Sequence, residues 1–455
     1  MRKAKSIDMT TGPLLGPLIS FILPLIGASL FQQLYNTVDF LFVGNLLNRT
    51  AAAAVGASSS LITVTIGLFT GISVGTSVVA SQALGAGNKG RAEKALHTSV
   101  TFGLVGGVIV MVITVLLAPG ILRLLRTPES VMPEALTYLR IYMLSLPFMV
   151  VYNMISGGMR AYGDSHTPFV ILVICGFVNV LMDALFIALI PLGVAGVSIA
   201  TVISQGLSAV LAVRWAARPG TPLRLTRRGL GVDGSVLKQV LRIGLPTGIQ
   251  TIIITFSNIM VQYYINAFGE TAVAAFATYY KVENFLYLPI LAFGQAATTF
   301  AGQNTGAGNY RRIRRGTVLI AAVGTGVVLL ISVLILLFPR TVFTWFMKDP
   351  EVVTNALKIA LIAFPFYWVD SIMEVFGGAV RGMGYAVRSM VLIILNLCVL
   401  RVALLALFSD TFHTIGSLGS VYPITWATAC VCFVITFLLI IRKKIGAENG
   451  LRPEL

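Results

Sequence analysis

Seven ionisable side chains lie deep in apolar stretches of this 455-residue sequence: Asp39, Asp183, Lys281, Glu283, Asp370, Glu374 and Arg401. At bilayer depth such groups cost a few kcal/mol each and mark ion or substrate handling. Asp39 and Asp183 fall in the first half with no basic residue in the surrounding apolar segments, and Asn179 stands one turn before Asp183 on the same helix face. Two carboxylates in such a setting are relieved by protons or by a hard cation held through oxygen ligands. The competing reading leaves Asp39 merely solvated at the interface or capping a neighbouring helix. The second half carries two bases and three acids: Lys281 and Glu283 together, Asp370 and Glu374 one turn apart, and Arg401. They form either a buried ion-pair network or a site with one carboxylate left for a cationic substrate or second ion. Tyr279, Tyr280, Phe285, Tyr287 and Trp368 flank these acids. They could stack on a cation or serve as packing and interfacial anchors.

The elements that position these residues are transmembrane helices. The chain is 56% hydrophobic and 11% charged, with a mean hydropathy of +0.89, against roughly 25% charged residues in a soluble domain. A membrane core needs about 20 apolar residues per helix. Such runs predict twelve helices at about 14–43, 52–83, 95–120, 134–159, 167–190, 194–216, 238–268, 271–304, 317–338, 353–380, 387–408 and 417–441. The fold class expected is therefore an all-α integral membrane protein. The net charge of +16 comes from short clusters between the runs, such as Lys89/Arg91/Lys94, Arg224/Arg227/Arg228, Arg311/Arg312/Arg314/Arg315 and Arg442/Lys443/Lys444. With loops assigned alternately, roughly 24 of the 33 Lys and Arg fall on one side with both termini, which predicts cytoplasmic ends. This placement argues against a nucleic-acid partner.

A basic connection at 217–235 divides a six-helix lobe, 1–216, from a second lobe, 236–455. The halves repeat. Leu23-Pro24 recurs as Leu245-Pro246, and Gln82…Gly85-Ala86-Gly87-Asn88 as Gln303…Gly306-Ala307-Gly308-Asn309. Pro128-Glu129 recurs as Pro350-Glu351, Pro147-Phe148 as Pro365-Phe366, and Met159-Arg160 as Val380-Arg381. Repeats with an even number of helices insert the same way up, which predicts two pseudo-symmetric bundles facing one another across a cleft. Asp39 corresponds to Val261 or Gln262, so the first acid site is not duplicated. Gly67, Gly71 and Gly75 recur every four residues and permit close helix contact.

The sequence resembles the multidrug and toxic compound extrusion (MATE) family from about Thr10 to Lys444. The resemblance rests on Leu34-Tyr35-Asn36-Thr37-Val38-Asp39…Phe42-Val43-Gly44, the two Gly-Ala-Gly-Asn turns, Gly158-Met159-Arg160-Ala161-Tyr162-Gly163-Asp164 and the Asn179…Asp183 pair. It implies a coupling-cation site, for H⁺ or Na⁺, at Asp39, Asn179, Asp183 and Thr201. Asp370 and Arg401 match acidic and basic positions common in the family. Tyr35 and Asn36 join the second cluster as candidates for substrate contact. One branch of the family also carries an acid on the seventh helix, where this chain has Ile254, Thr255 and Ser257.

No Gly-x-x-x-x-Gly-Lys-Ser/Thr loop is present, so ATP is not the direct driver. The histidines, His97, His166 and His413, and the cysteines, Cys175, Cys398, Cys430 and Cys432, make no ligand cluster or nucleophile constellation. No enzymatic activity, cofactor or structural metal is expected. The function expected is secondary antiport of amphipathic organic cations by a protein of the cell membrane, acting as a monomer. A lipid-linked precursor flippase is the alternative, but such proteins usually have about fourteen helices and a strongly cationic cavity. A channel is a third reading, which a gradient-independent flux would reveal.

Overall fold

The computed structural model describes residues 7–47, 49–221, 223–407 and 414–448. The expectation resting on His413 lies outside the described residues, as does the side chain of Asn36. All described regular structure is helical. In the first half it comprises α1 (Leu15–Leu46), α2 (Arg49–Gly85), α3 (Lys89–Leu124), α4 (Met132–Met143), α5 (Leu146–Ala161), α6 (His166–Ala184) and α7 (Val194–Ala216). In the second half come α8 (Gly234–Asn266), α9 (Glu270–Gly306), α10 (Tyr310–Leu337), α11 (Pro339–Thr344), α12 (Pro350–Ala363), α13 (Tyr367–Gly382), α14 (Ala386–Ile393), α15 (Arg401–Leu407), α16 (Ile415–Gly419) and α17 (Val421–Glu448). Among the described residues eleven spans are long and apolar enough to cross a membrane, and α4 with α5, bent by 42°, makes a twelfth if the pair is one span. The bend falls at Leu144–Ser145, just before Pro147, whose missing N–H weakens the helical ladder there.

Two compact units emerge, Met1–Asp8 with Leu23–Gly248, and Met9–Ile22 with Ile249–Leu455. The repeat is visible inside each. Gly87 and Gly308 take φ of +72° and +74° in the Gly-Ala-Gly-Asn turns, a conformation nearly free of cost only for glycine. The Asn88 side chain then accepts the Arg91 N–H at 2.9 Å and caps α3. Gly157 packs on Ser73 as Gly378 packs on Gly294. In the first unit, a side chain on Gly71 would run into the backbone of Gly244 and Gly248, and one on Gly75 into Val240 and Gly244. The glycine spacing on α2 thus serves close packing against the start of α8.

Each Gly-Ala-Gly-Asn turn also holds a segment that leads into the other repeat's first helix. Arg312 donates from Nε to Met9 O at 2.9 Å, and from its two terminal nitrogens to Thr11 O at 2.7 Å and Gly12 O at 2.8 Å. Arg91 donates to Gln239 Oε1 at 2.7 Å. Asp233, ahead of α8, accepts from Ser235 Oγ at 2.7 Å and from the amides of Ser235 and Val236. The bonds from Ser235 first, then Val236, hold its carboxyl below the usual range.

Candidate coupling and substrate sites

In the first unit α1 brings Asp39 to α6, where Asn179 and Asp183 face it one turn apart. The Asn179 amide donates to both Asp39 oxygens, at 3.1 and 3.2 Å, when its nitrogen is turned toward the acid as hydrogen bonding requires. Asp183 is fully buried, its carboxyl lies within hydrogen-bonding reach of Asp39, and no donor among the described residues reaches either of its oxygens. The sequence suggests a mid-helix position for Asp183. It stands instead in the last regular turn of α6, followed by a π-helical turn at Leu185–Leu189 before the chain breaks at Pro191. Thr201 donates to its own helix at Val197 O, 3.1 Å away, and makes no hydrogen bond to the acids.

Tyrosines surround the pair. Tyr138 and Tyr142 on α4, with ring centroids 5.7 Å apart, stand beside Asp39. Tyr35 on α1 lies near Asp39, Tyr142 and Tyr152. Of these only Tyr35 is singled out by the sequence reading. The others lie on helices with no charge of interest, and only their approach in space ties them to the acids.

The second unit arranges its charges differently. Glu374 pairs with Arg381, a residue outside the expected cluster. Glu283 accepts a hydrogen bond from Tyr367 Oη at 2.5 Å, and Tyr367 in turn meets Tyr279 Oη at 3.0 Å. Arg401, 2% exposed, lies over the Tyr422 ring at 4.8 Å and donates to Thr425 Oγ1 at 3.1 Å and Asn258 Oδ1 at 3.5 Å. Among the described residues it pairs with no carboxylate, and its Nε is buried without an acceptor. Asp370, 4% exposed, forms no hydrogen bond or ion pair among the described residues. Lys281 is exposed and stays outside the network. Two residues from Glu283, it points off another face of α9. Phe285 and Trp368 are also largely exposed, so the aromatic wall is Tyr279, Tyr367, Tyr422 and Trp426, with Tyr367 and Trp426 rings 4.6 Å apart.

Comparison with known proteins bears on what these clusters belong to. The MatE family profile matches residues 24–185 and again 246–407, one match per repeat. The probable multidrug resistance protein YpnP of Bacillus subtilis is 30% identical, over 89% of this chain and 91% of that protein. The probable multidrug resistance protein NorM of Thermotoga maritima is 25% identical over 89% and 87%. A crystal structure of MATE in complex with MaL6 superposes with a TM-score of 0.92 at 21% identity, covering 97% of this chain and 99% of that one. The duplicated match, the relatives and the shared all-helical fold agree: this multi-pass membrane protein belongs to the MatE family of transporters.

Proposed function

We propose that the protein exports amphipathic organic cations in exchange for H⁺ or Na⁺ by alternating access, as a monomer in the plasma membrane with both termini cytoplasmic. One observation carries the coupling assignment: the Asp183 carboxyl lies within hydrogen-bonding reach of Asp39, and no donor among the described residues reaches it. Two carboxylates this close, with no Lys, Arg or His among the described residues bonded to either, repel unless a proton or a hard cation lies between them. A site that must hold a cation when closed, and can lose it when open to water, binds that cation unequally in two conformations. Unequal affinity is what lets a gradient shift a conformational equilibrium. Asn179 and Thr201 would add neutral oxygens to the ion's shell. The names of the relatives as multidrug resistance proteins support the substrate class, and the basic clusters support the orientation.

The test is purified protein in liposomes under imposed pH or Na⁺ gradients. Asp39→Asn and Asp183→Asn should each abolish uphill export of a cationic dye while the protein still folds and inserts. The gradient that drives the wild type identifies the ion. Uphill export by both variants at the wild-type rate would remove the coupling assignment.

A further inference from the structure

A cavity of about 310 Å³ opens in the first unit, lined by Leu47 after α1, Ala51 of α2, Glu134 and Thr137 of α4, and Gly193 and Ala195 at the start of α7. Glu134 is the one charged side chain that lines it. Its Oε2 is buried and no donor among the described residues reaches it. Of the two helices that hold the acids, α1 ends at this cavity, just before Leu47. Leu47 follows Asp39 by two turns, about 12 Å at the helical rise. Glu134, Tyr138 and Tyr142 occupy successive turns of α4 on one face, and both tyrosines stand beside Asp39. Ser198 ties α7 to α4 between the two places, donating to Tyr138 O at 3.2 Å and Val194 O at 3.1 Å. These ends of the helices lie opposite the Gly-Ala-Gly-Asn turns, on the outer side in the orientation proposed above.

We propose that this cavity is an outer vestibule in which the Glu134 carboxylate collects a small monovalent cation, hydronium or Na⁺, and passes it along the Tyr138–Tyr142 face to Asp39 and Asp183. The proposal rests on the antiport reading. A carboxylate in a concave, low-dielectric wall focuses its field and raises the local concentration of cations. Arg49, two residues before Ala51, and Arg140, on another face of α4, are both exposed, so water screens them. Gly193 adopts φ +60° with open space where a side chain would stand, which keeps the mouth wide.

The first test reads the vestibule without transport. Thr137→Cys, in a chain whose four cysteines are replaced by serine, is treated in liposomes with a trimethylammonium or a sulfonate methanethiosulfonate reagent. At about 20 mM salt the screening length is roughly 20 Å. Adding Glu134→Gln should then lower the cationic-to-anionic rate ratio on the order of tenfold. An unchanged ratio, or a faster anionic reagent with Glu134 present, overturns the proposal. The second test reads transport. Glu134→Gln should raise the external cation concentration for half-maximal export several-fold with the maximal rate unchanged, and Glu134→Asp should restore it. If Asp39→Asn abolishes coupling while Glu134→Gln changes nothing, the vestibule falls and the antiport reading stands. Should Asp39→Asn and Asp183→Asn both keep uphill export at the wild-type rate, the coupling assignment falls and takes the vestibule's destination with it.

Discussion

Arg160 and Arg381 occupy matching places in the two repeats, each three residues before a glycine of positive φ, Gly163 and Gly384. Of the two, only Arg381 meets a carboxylate among the described residues. Its partner Glu374 lies seven residues earlier, where the first repeat has Asn153, whose amide bonds back to Met149 O at 3.0 Å. The converse holds for the acid pair: Asp39 and Asp183 have no acidic counterpart in the second repeat, where Val261 or Gln262 stands in place of Asp39. What the repeats share is backbone: the glycine contacts and the positive-φ turns at Gly87 and Gly308 and at Gly163 and Gly384. What they do not share is charge. Duplication kept the parts that let helices approach and left side chains free to specialise, with uncompensated acids in one unit and a paired, tyrosine-bonded set in the other.

The sharpest way to break this contrast is to remove the two arginines in turn. Arg381→Met strands Glu374 as a half-buried charge and should cost about 3–5 kcal/mol, seen as early thermal unfolding in detergent. Arg160→Met removes a cation that forms no ion pair among the described residues and should cost less than about 1 kcal/mol. Adding Glu374→Gln to Arg381→Met should recover most of the loss. Equal costs for the two arginines would mean that the ion pair does not distinguish the units.

A smaller difference separates the turns that hold each repeat's incoming segment. Arg312 donates to three main-chain carbonyls of the segment that leads into α1, and Met9 within that segment is 1% exposed. Arg91 makes one side-chain bond, to an exposed glutamine of α8. Charge-assisted bonds contribute about 1.5–3 kcal/mol where buried and far less at the surface. Arg312→Ala should therefore cost about 2 kcal/mol and speed proteolysis within 7–12, with Arg91→Ala below about 0.5 kcal/mol. Matching losses would refute the asymmetry.

Much of this was legible before any coordinates. Helix count, the duplication and the glycine contacts follow from hydropathy, repeated motifs and four-residue spacing. The Asn179–Asp183 face follows from helical period. Two things escaped. Arg381 sits at a helix end, where an arginine ordinarily snorkels outward; only the packing of α13 turns it back on Glu374. Tyr138 and Tyr142 on α4 lie near Asp39 on α1, and Tyr152 on α5 near Tyr35, which no local pattern encodes. Lys281 and Glu283 lie close along the chain, but residues two apart on a helix do not share a face, so helical period already sets the exposed Lys281 apart from the cluster.

The finest distinction concerns Asp370, which divides the second unit against itself. Glu374 and Glu283, its acidic neighbours, are both held by donors, Arg381 and Tyr367. Asp370 has none among the described residues, although Arg401 is committed nearby to Thr425, Asn258 and the Tyr422 ring. A carboxyl that the protein leaves unbonded, beside a wall of tyrosines, is suited to an organic cation, whose charge it would neutralise and whose flat surface the rings would cover. If that is its role, Asp370→Asn keeps the shape of the wall and removes the charge. Cationic dyes should then bind about tenfold more weakly, about 1.4 kcal/mol, while neutral analogues of the same shape bind as before and the gradient still drives export. The last clause separates the two units: Asp183→Asn should abolish coupling, and Asp370→Asn should change only what is recognised. Binding titrations of a matched cationic and neutral pair to purified variants decide it. Equal weakening of both ligands, with a lower unfolding temperature, would make Asp370 part of the framework rather than of the site.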